Sequence, residues 1–295
     1  MTKTPCSPNR PIRSRAIALY DRYTHEGRDR RAFLRELTLL AGSPAAASAL
    51  LAGIAADPAA AAIVAPDDKR LKTQTVAWDS APGRRMSAYV ANPAKGTPAA
   101  LVVVIHENRG LNDHIRDVAR RFALEGFTAV APDLLAPDGG TPADEDKARE
   151  MIGKLDLAAT TKDAQSVFAR FAGKRKAGVV GYCWGGAMVD RLAVAGAPRL
   201  AAAVSYYGSA PAPAEAAKGD VPLMMNLAGL DTRVATTAKP FADALKAAGK
   251  SVIVHDYPGV NHAFNNDTSA ERYNADAAKL AWARTIAFFN EHLKG

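Results

Sequence analysis

From residue 70 onward, short β-branched apolar runs alternate with longer stretches of helical period, the pattern of a mostly parallel sheet with helices on both faces. The runs predict eight strands, at 73–78, 85–91, 100–105, 128–131, 178–182, 201–206, 221–227 and 251–257. Helices are predicted at 114–125, 143–172 with a break, 185–195, 236–248 and 271–293, the first with Asp113 as its N-cap and Gly126 ending it. No internal repeat and no linker divides the chain after residue 65. In such sheets ligands bind beyond the carboxyl ends of the strands, so the residues that directly follow each strand are the ones to examine.

Before residue 65 the pattern changes. The segment DRRAFLR at 29–35 opens a stretch to residue 63 made mostly of Ala, Leu and Gly with little charge. A basic segment, a weakly apolar run and then small residues such as Ala59, Ala60 and Ala61 have the layout of an export leader. Arg30 and Arg31 resemble the pair of a twin-arginine signal, which exports folded proteins. Gly42, Ser43, Pro44, Ser48 and Gly53 interrupt the run, whereas a membrane span needs ~20 strongly apolar residues. The expectation is a signal segment over 1–65, cut between 56 and 66, and a domain over 66–295 that is periplasmic or exported by the twin-arginine machinery. The alternatives are an amphipathic first helix capping the domain, or an uncleaved anchor, with a cytoplasmic protein if there is no signal.

Composition narrows the class. A chain of 295 residues, 48% hydrophobic and 23% charged, can build one large core and is not disordered. The net charge is +8, but nine Lys/Arg against five Asp/Glu fall in residues 1–61, so half of the excess lies there. No cluster of basic and aromatic residues follows residue 85, which argues against nucleic acid as a partner. Of the two cysteines, Cys6 would leave with a signal, and Cys183 would then be a lone thiol, better suited to a reactive role than a structural one.

The strand at 178–182 runs straight into Cys183 within GYCWGG, and a helix follows. A nucleophile on such a turn is pushed above the sheet, Gly181, Gly185 and Gly186 let the turn close, and the helix amides favour thiolate over thiol. A phosphate-binding turn is the weaker reading, because neither GxGxxG nor GKS/T follows a strand. Asp231 follows the strand at 221–227 in AGLDTR, and His262 follows the last strand in PGVNHAF. The order nucleophile, acid, base is that of the α/β-hydrolases. Taken singly, Asp231 also reads as a helix cap and His262 as a loop histidine, while His255, inside a strand, reads as structural. The loop HENRGLN at 106–112 occupies the oxyanion position, where the backbone N–H of Asn108 is expected to pair with that of Trp184.

HENRGLN with Glu107, APDLLAP at 131–137, GYCWGG, YYG at 206–208, AGLD and YPGVNHAF together resemble the dienelactone hydrolase family over residues 70–295. The resemblance implies an α/β-hydrolase fold, a Cys183–His262–Asp231 triad and cofactor-free hydrolysis of enol lactones or esters. It also implies that Glu107 contacts the nucleophile at rest and helps set its protonation. A carboxylate there disfavours thiolate, so Glu107 would have to move or be protonated when substrate binds. One position departs from the family. Where an arginine four residues after the histidine holds a substrate carboxylate, this chain has Asn266, leaving Arg109 and Arg233 as possible substitutes. No HExxH or paired Cys/His spacing appears, so no metal is expected. The chain is expected to act as a monomer on a small-molecule ester or lactone. Two rivals are a broad carboxylesterase or thioesterase indifferent to lactones, and an exported binding or redox-sensing protein that keeps the fold without catalysis. Trp184 is left open between lining an acyl pocket and packing beneath it.

Overall fold

The computed structural model describes residues 11–57 and 62–294. Its strands are β1 (Leu71–Ala81), β2 (Arg84–Pro93), β3 (Leu101–Ile105), β4 (Thr128–Asp133), β5 (Ala177–Tyr182), β6 (Leu200–Tyr206), β7 (Leu223–Ala228) and β8 (Val252–Tyr257). They form one sheet in the order β1-β2-β4-β3-β5-β6-β7-β8. β2 runs antiparallel to β1 and β4, and every other pairing is parallel. All eight predicted strands are present. β1 and β2 extend past their apolar runs because an edge ribbon tolerates residues such as Lys72 and Asp79 that end the pattern without ending the strand.

The helices are α1 (Ile12–His25), α2 (Arg30–Ala41), α3 (Pro44–Ile54), α4 (Asp113–Leu124), α5 (Glu145–Gly153), α6 (Leu157–Phe171), α7 (Trp184–Ala195), α8 (Thr232–Ala247) and α9 (Ala275–Lys294). Strand alternation sorts the core into two layers. Val102 and Val104 face Ile115, Phe122 and Phe289 of α4 and α9, and Leu101, Val103 and Ile105 face the side covered by α6, α7 and α8. Each large apolar side chain so buried contributes ~1.5–3 kcal/mol. The N-cap of α4 is Asn112, whose side chain accepts from the Ile115 N–H at 3.1 Å; Asp113, expected to cap, is the first helical residue. Gly126, at φ 91°, turns the chain out of that helix as expected.

The segment read as a leader is helical where it is described. Asp29 caps α2, Gly42 leaves it at φ 84°, and Ser43 caps α3 with Pro44 in its first turn. These breaks bend α2 and α3 by 109°, and no single described helix is long and apolar enough to cross a membrane. Ile17, Leu19, Tyr20, Tyr23, Phe33 and Leu37 close a small core of their own. Arg30 opens α2 and pairs with Asp146. Ala59, Ala60, Ala61 and Cys6 lie outside the described residues.

The three helices are docked on the sheet domain by specific bonds. Arg149 donates to the Tyr23 carbonyl at 2.9 Å and to its hydroxyl at 2.7 Å, with the guanidinium 4.1 Å over the ring. The Ile54 carbonyl accepts from Ser269 Oγ at 2.7 Å and Arg272 Nε at 3.0 Å. Backbone bonds join Glu271 N–H to Gly53 and Asp57 N–H to Thr268. The result is a cap over the carboxyl ends of the central strands.

Candidate active site

At the end of β5, Cys183 adopts φ 57° and ψ −114°, and α7 begins with the next residue. Such a conformation costs a non-glycine residue about 1–3 kcal/mol and persists only where its surroundings enforce it. Here they do. The Cys183 N–H donates to the Tyr206 carbonyl at 3.0 Å, and a Cβ at Gly181 would lie 2.2 Å from the Gly185 carbonyl oxygen. A Cβ at Gly185 would lie 2.4 Å from the His106 carbonyl oxygen, so α7 can approach the loop after β3 only without one. Asn108, on that loop, and Cys183, next to Trp184, line the same small cavity.

Asp231 makes two contacts. It is the N-cap of α8, with Oδ1 accepting from Val234 N–H at 3.1 Å, and its Oδ2 lies 2.5 Å from His262 Nδ1. Arg233, bonded to Ser209, has Nη2 3.6 Å from the same carboxylate. Burial opposes charge on Asp231, yet His262 and Arg233 hold its carboxyl well below the usual range. Burial also opposes charge on His262, but the thiolate form of Cys183 and the Asp231 carboxylate push it up to about 10. His262 is buried, its ring lies 4.9 Å from that of Tyr207, and its Nε2 makes no hydrogen bond within ordinary limits.

The sulfur is instead bonded from the cap. His25, the last residue of α1, places Nε2 3.1 Å from Cys183 Sγ, and its ring centroid lies 4.6 Å from that of His262. Its Nδ1 sits 2.8 Å from the Asp21 carbonyl oxygen and 2.9 Å from Thr24 Oγ1. A carbonyl only accepts, so the ring proton is assigned to Nδ1 and a bare Nε2 faces the sulfur. Burial, followed by the nearby cations of His262 and Arg233, pushes His25 well below its usual value and keeps it neutral. Nothing in the sequence marks His25, which stands 158 positions from the cysteine. One nitrogen each of His25 and His262 and the sulfur of Cys183 all lie within 4.8 Å of one another.

Glu107 is buried beside the site, but its carboxylate accepts from Asn266 Nδ2 at 2.8 Å, and the sulfur's hydrogen bond goes to His25. Asn266 is committed on both ends, since its Oδ1 also accepts from Thr268. It is a buttress for Glu107. His106 fixes the same loop, with Nδ1 donating to the Glu107 carbonyl at 2.7 Å and Nε2 accepting from Leu134 N–H at 3.2 Å. Trp184 stacks on His106 at 5.5 Å and packs against the clusters that hold Leu135 and Cys183. Arg109 bonds Glu145 and the Tyr20 hydroxyl of the cap. His255 lies within β8, opposite Asn226, as a strand residue.

The cavity above the sulfur is about 20 Å³, lined by Tyr20, Thr24 and His25 of the cap and by Glu107, Cys183 and His262 below. Arg109 and Ala56 divide it from a neighbouring cavity of about 310 Å³.

Comparison with known proteins agrees with this architecture. Residues 86–293 match the Dienelactone hydrolase family model. An Escherichia coli K12 protein named "Putative carboxymethylenebutenolidase" is 32% identical over 260 residues, covering 81% of this chain and 94% of its own. A Methylorubrum extorquens protein of the same name is 32% identical over 224 residues, covering 70% and 76%. A Klebsiella pneumoniae crystal structure described as a "Putative Dienelactone Hydrolase" superposes with a TM-score of 0.67 at 29% identity, covering 75% of this chain and 99% of that one. With its eight-stranded, mostly parallel sheet and its match over most of the domain, this chain is an α/β-hydrolase-fold protein that belongs to the dienelactone hydrolase family of hydrolases.

Proposed function

We propose that the chain hydrolyses small carboxylic esters or lactones by thiol catalysis, with Cys183 as nucleophile, His262 as base and Asp231 as the group that orients it. The observation that carries this reading is the convergence of three strand ends. A cysteine forced to φ 57° at a helix N-terminus stands beside an imidazole whose far nitrogen is held by a buried carboxylate at 2.5 Å. The Cys183 thiolate adds to the carbonyl carbon, and the N–H groups of Asn108 and Trp184 take the oxyanion. Collapse breaks the acyl–oxygen bond, His262 Nε2 returns its proton to the leaving alcohol, and a water activated by His262 then cleaves the thioester, restoring the thiol.

A second reading, an esterase without preference for lactones that carry a carboxylate, draws support from the arginines. Asn266 stands where an arginine was expected and braces Glu107, while Arg109 is bonded to Glu145 and Tyr20. The paired Arg30 and Arg31 further support twin-arginine export, tested by cell fractionation and N-terminal sequencing of the recovered protein.

The test is nitrophenol release from p-nitrophenyl acetate by the wild type, Cys183→Ala and Cys183→Ser. We expect the Ala variant to lose more than about a thousandfold in kcat/KM. Unchanged activity in that variant would remove the assignment of Cys183. A parallel assay on an unsaturated γ-lactone separates the two substrate readings, because rates no better than on the aryl acetate favour the broad esterase.

A further inference from the structure

We propose that the N-terminal helical cap is a lid and His25 its catch: with the lid closed, His25 holds Cys183 as a neutral thiol, and the sulfur is armed only when the lid opens. This rests on the reading of Cys183 as the nucleophile.

Three observations carry it. The first is space. A cavity of about 20 Å³ has room for roughly one water, and no ester can approach the sulfur until Tyr20, Thr24 and His25 withdraw. The second is direction. Buried and neutral, His25 carries its one ring proton on Nδ1, bound to the Asp21 carbonyl, so its Nε2 accepts and the bond to the sulfur at 3.1 Å requires a proton on the sulfur. Two bare acceptors, a thiolate and an imine nitrogen, would repel at that distance. The third is the idle partner. His262, of the proposed triad, has a ring nitrogen within 4.8 Å of the sulfur, but its buried Nε2 is outside ordinary hydrogen-bond limits, while His25 Nε2 is within them. When the lid lifts, the S–H proton leaves to solvent water, and the thiolate is held by the His262 imidazolium beside Asp231 and by the amides of α7.

The charged and titratable groups around this pair fit that assignment. Asp21 comes from α1, Glu107 and Arg109 from the loop after β3, Tyr207 from the end of β6, Asp231 and Arg233 from the start of α8, and His262 and Arg272 from the segment after β8. Two of them, His262 and Arg233, act on His25 to keep it neutral, so it offers a lone pair and not a cation. The family match begins at residue 86, so the element that supplies His25 lies outside the part of the chain that the family model describes.

The test uses the full chain in buffer with a chelator. The thiolate absorbance of Cys183 is titrated near 240 nm, with the matched Cys183→Ser chain as blank to subtract Cys6. Wild type is compared with His25→Ala, which removes the acceptor and opens space, His25→Phe, which removes only the acceptor, and Arg149→Ala, which loosens the lid at Tyr23 far from the sulfur. The expected result is a midpoint lower by one unit or more in all three variants. Iodoacetamide labelling of Cys183 at pH 7, read by peptide mass spectrometry, should rise with it by about tenfold. Any other pattern overturns the proposal: no shift in the His25 variants, a shift in Ala without Phe, or an unshifted Arg149→Ala. Neither readout needs turnover, so the catch can fail while ester hydrolysis stands, and ester hydrolysis can fail while the catch stands.

Discussion

Asp231 spends one carboxylate oxygen on the amide of Val234 and the other on His262, and the two duties separate under substitution. Asp231→Asn keeps an oxygen for the helix cap but loses the charge that fixes the imidazole. We expect kcat on an aryl ester to fall about a thousandfold or more while the melting temperature barely moves. Asp231→Ala should lose the cap as well, at about 1 kcal/mol of stability in urea unfolding. The same pair gives a pH signature. His262 is raised in the folded chain to about 10 from an ordinary value of 6.5, so its contribution to stability is complete below about pH 6.5 and lost as pH rises through 10. Thermal unfolding between pH 7 and 11 should therefore show a decline that His262→Gln lessens. Asn266→Ala strands the buried Glu107 without its amide partner and should cost about 1–3 kcal/mol, measured by urea unfolding.

The elements were the most legible level. Strand runs and turn residues placed all eight strands and located Cys183, Asp231 and His262 at three strand ends, because apolar period and glycine spacing are local signals that tertiary packing did not override. The misses were small and had local causes. Asn112 and Asp113 are both good caps, and composition alone cannot choose between neighbours. α8 begins at Thr232 and not near 236, because Asp231 caps it. At this scale the sharpest dependence is the join between α7 and β3. Gly185→Ala would set a Cβ 2.4 Å from the His106 carbonyl oxygen, and we expect a loss of about 1–3 kcal/mol with ester hydrolysis abolished, read by urea unfolding and nitrophenol release.

For the whole molecule the sequence was least informative. Residues 29–63 have the small, apolar composition of an export leader, and composition does not show whether such a segment also folds against the domain. The marks of two short folded helices were present in Asp29, Gly42, Ser43 and Pro44, but what they pack against was not. His25 could not be found at all, since its meaning lies in a contact made only after the sheet exists. Nor could the sequence show that Arg109 and Arg272 would turn toward Tyr20. The hold of Arg149 on Tyr23 makes a simple forecast. In Arg149→Ala, limited proteolysis should cut the connection after α3 faster than in wild type, while the sheet domain stays intact on a gel.

The bonds from Gly53, Ile54 and Asp57 to residues 268–272 carry a consequence for any cut made just beyond them. Severing the chain between 58 and 66 would leave the three helices held by every contact that holds them now. The products would be an enzyme and its own inhibitor in noncovalent association, whose separation obeys mass action. Such a nicked protein would lie quiet when concentrated and awaken on dilution, so its specific activity would rise as its concentration falls.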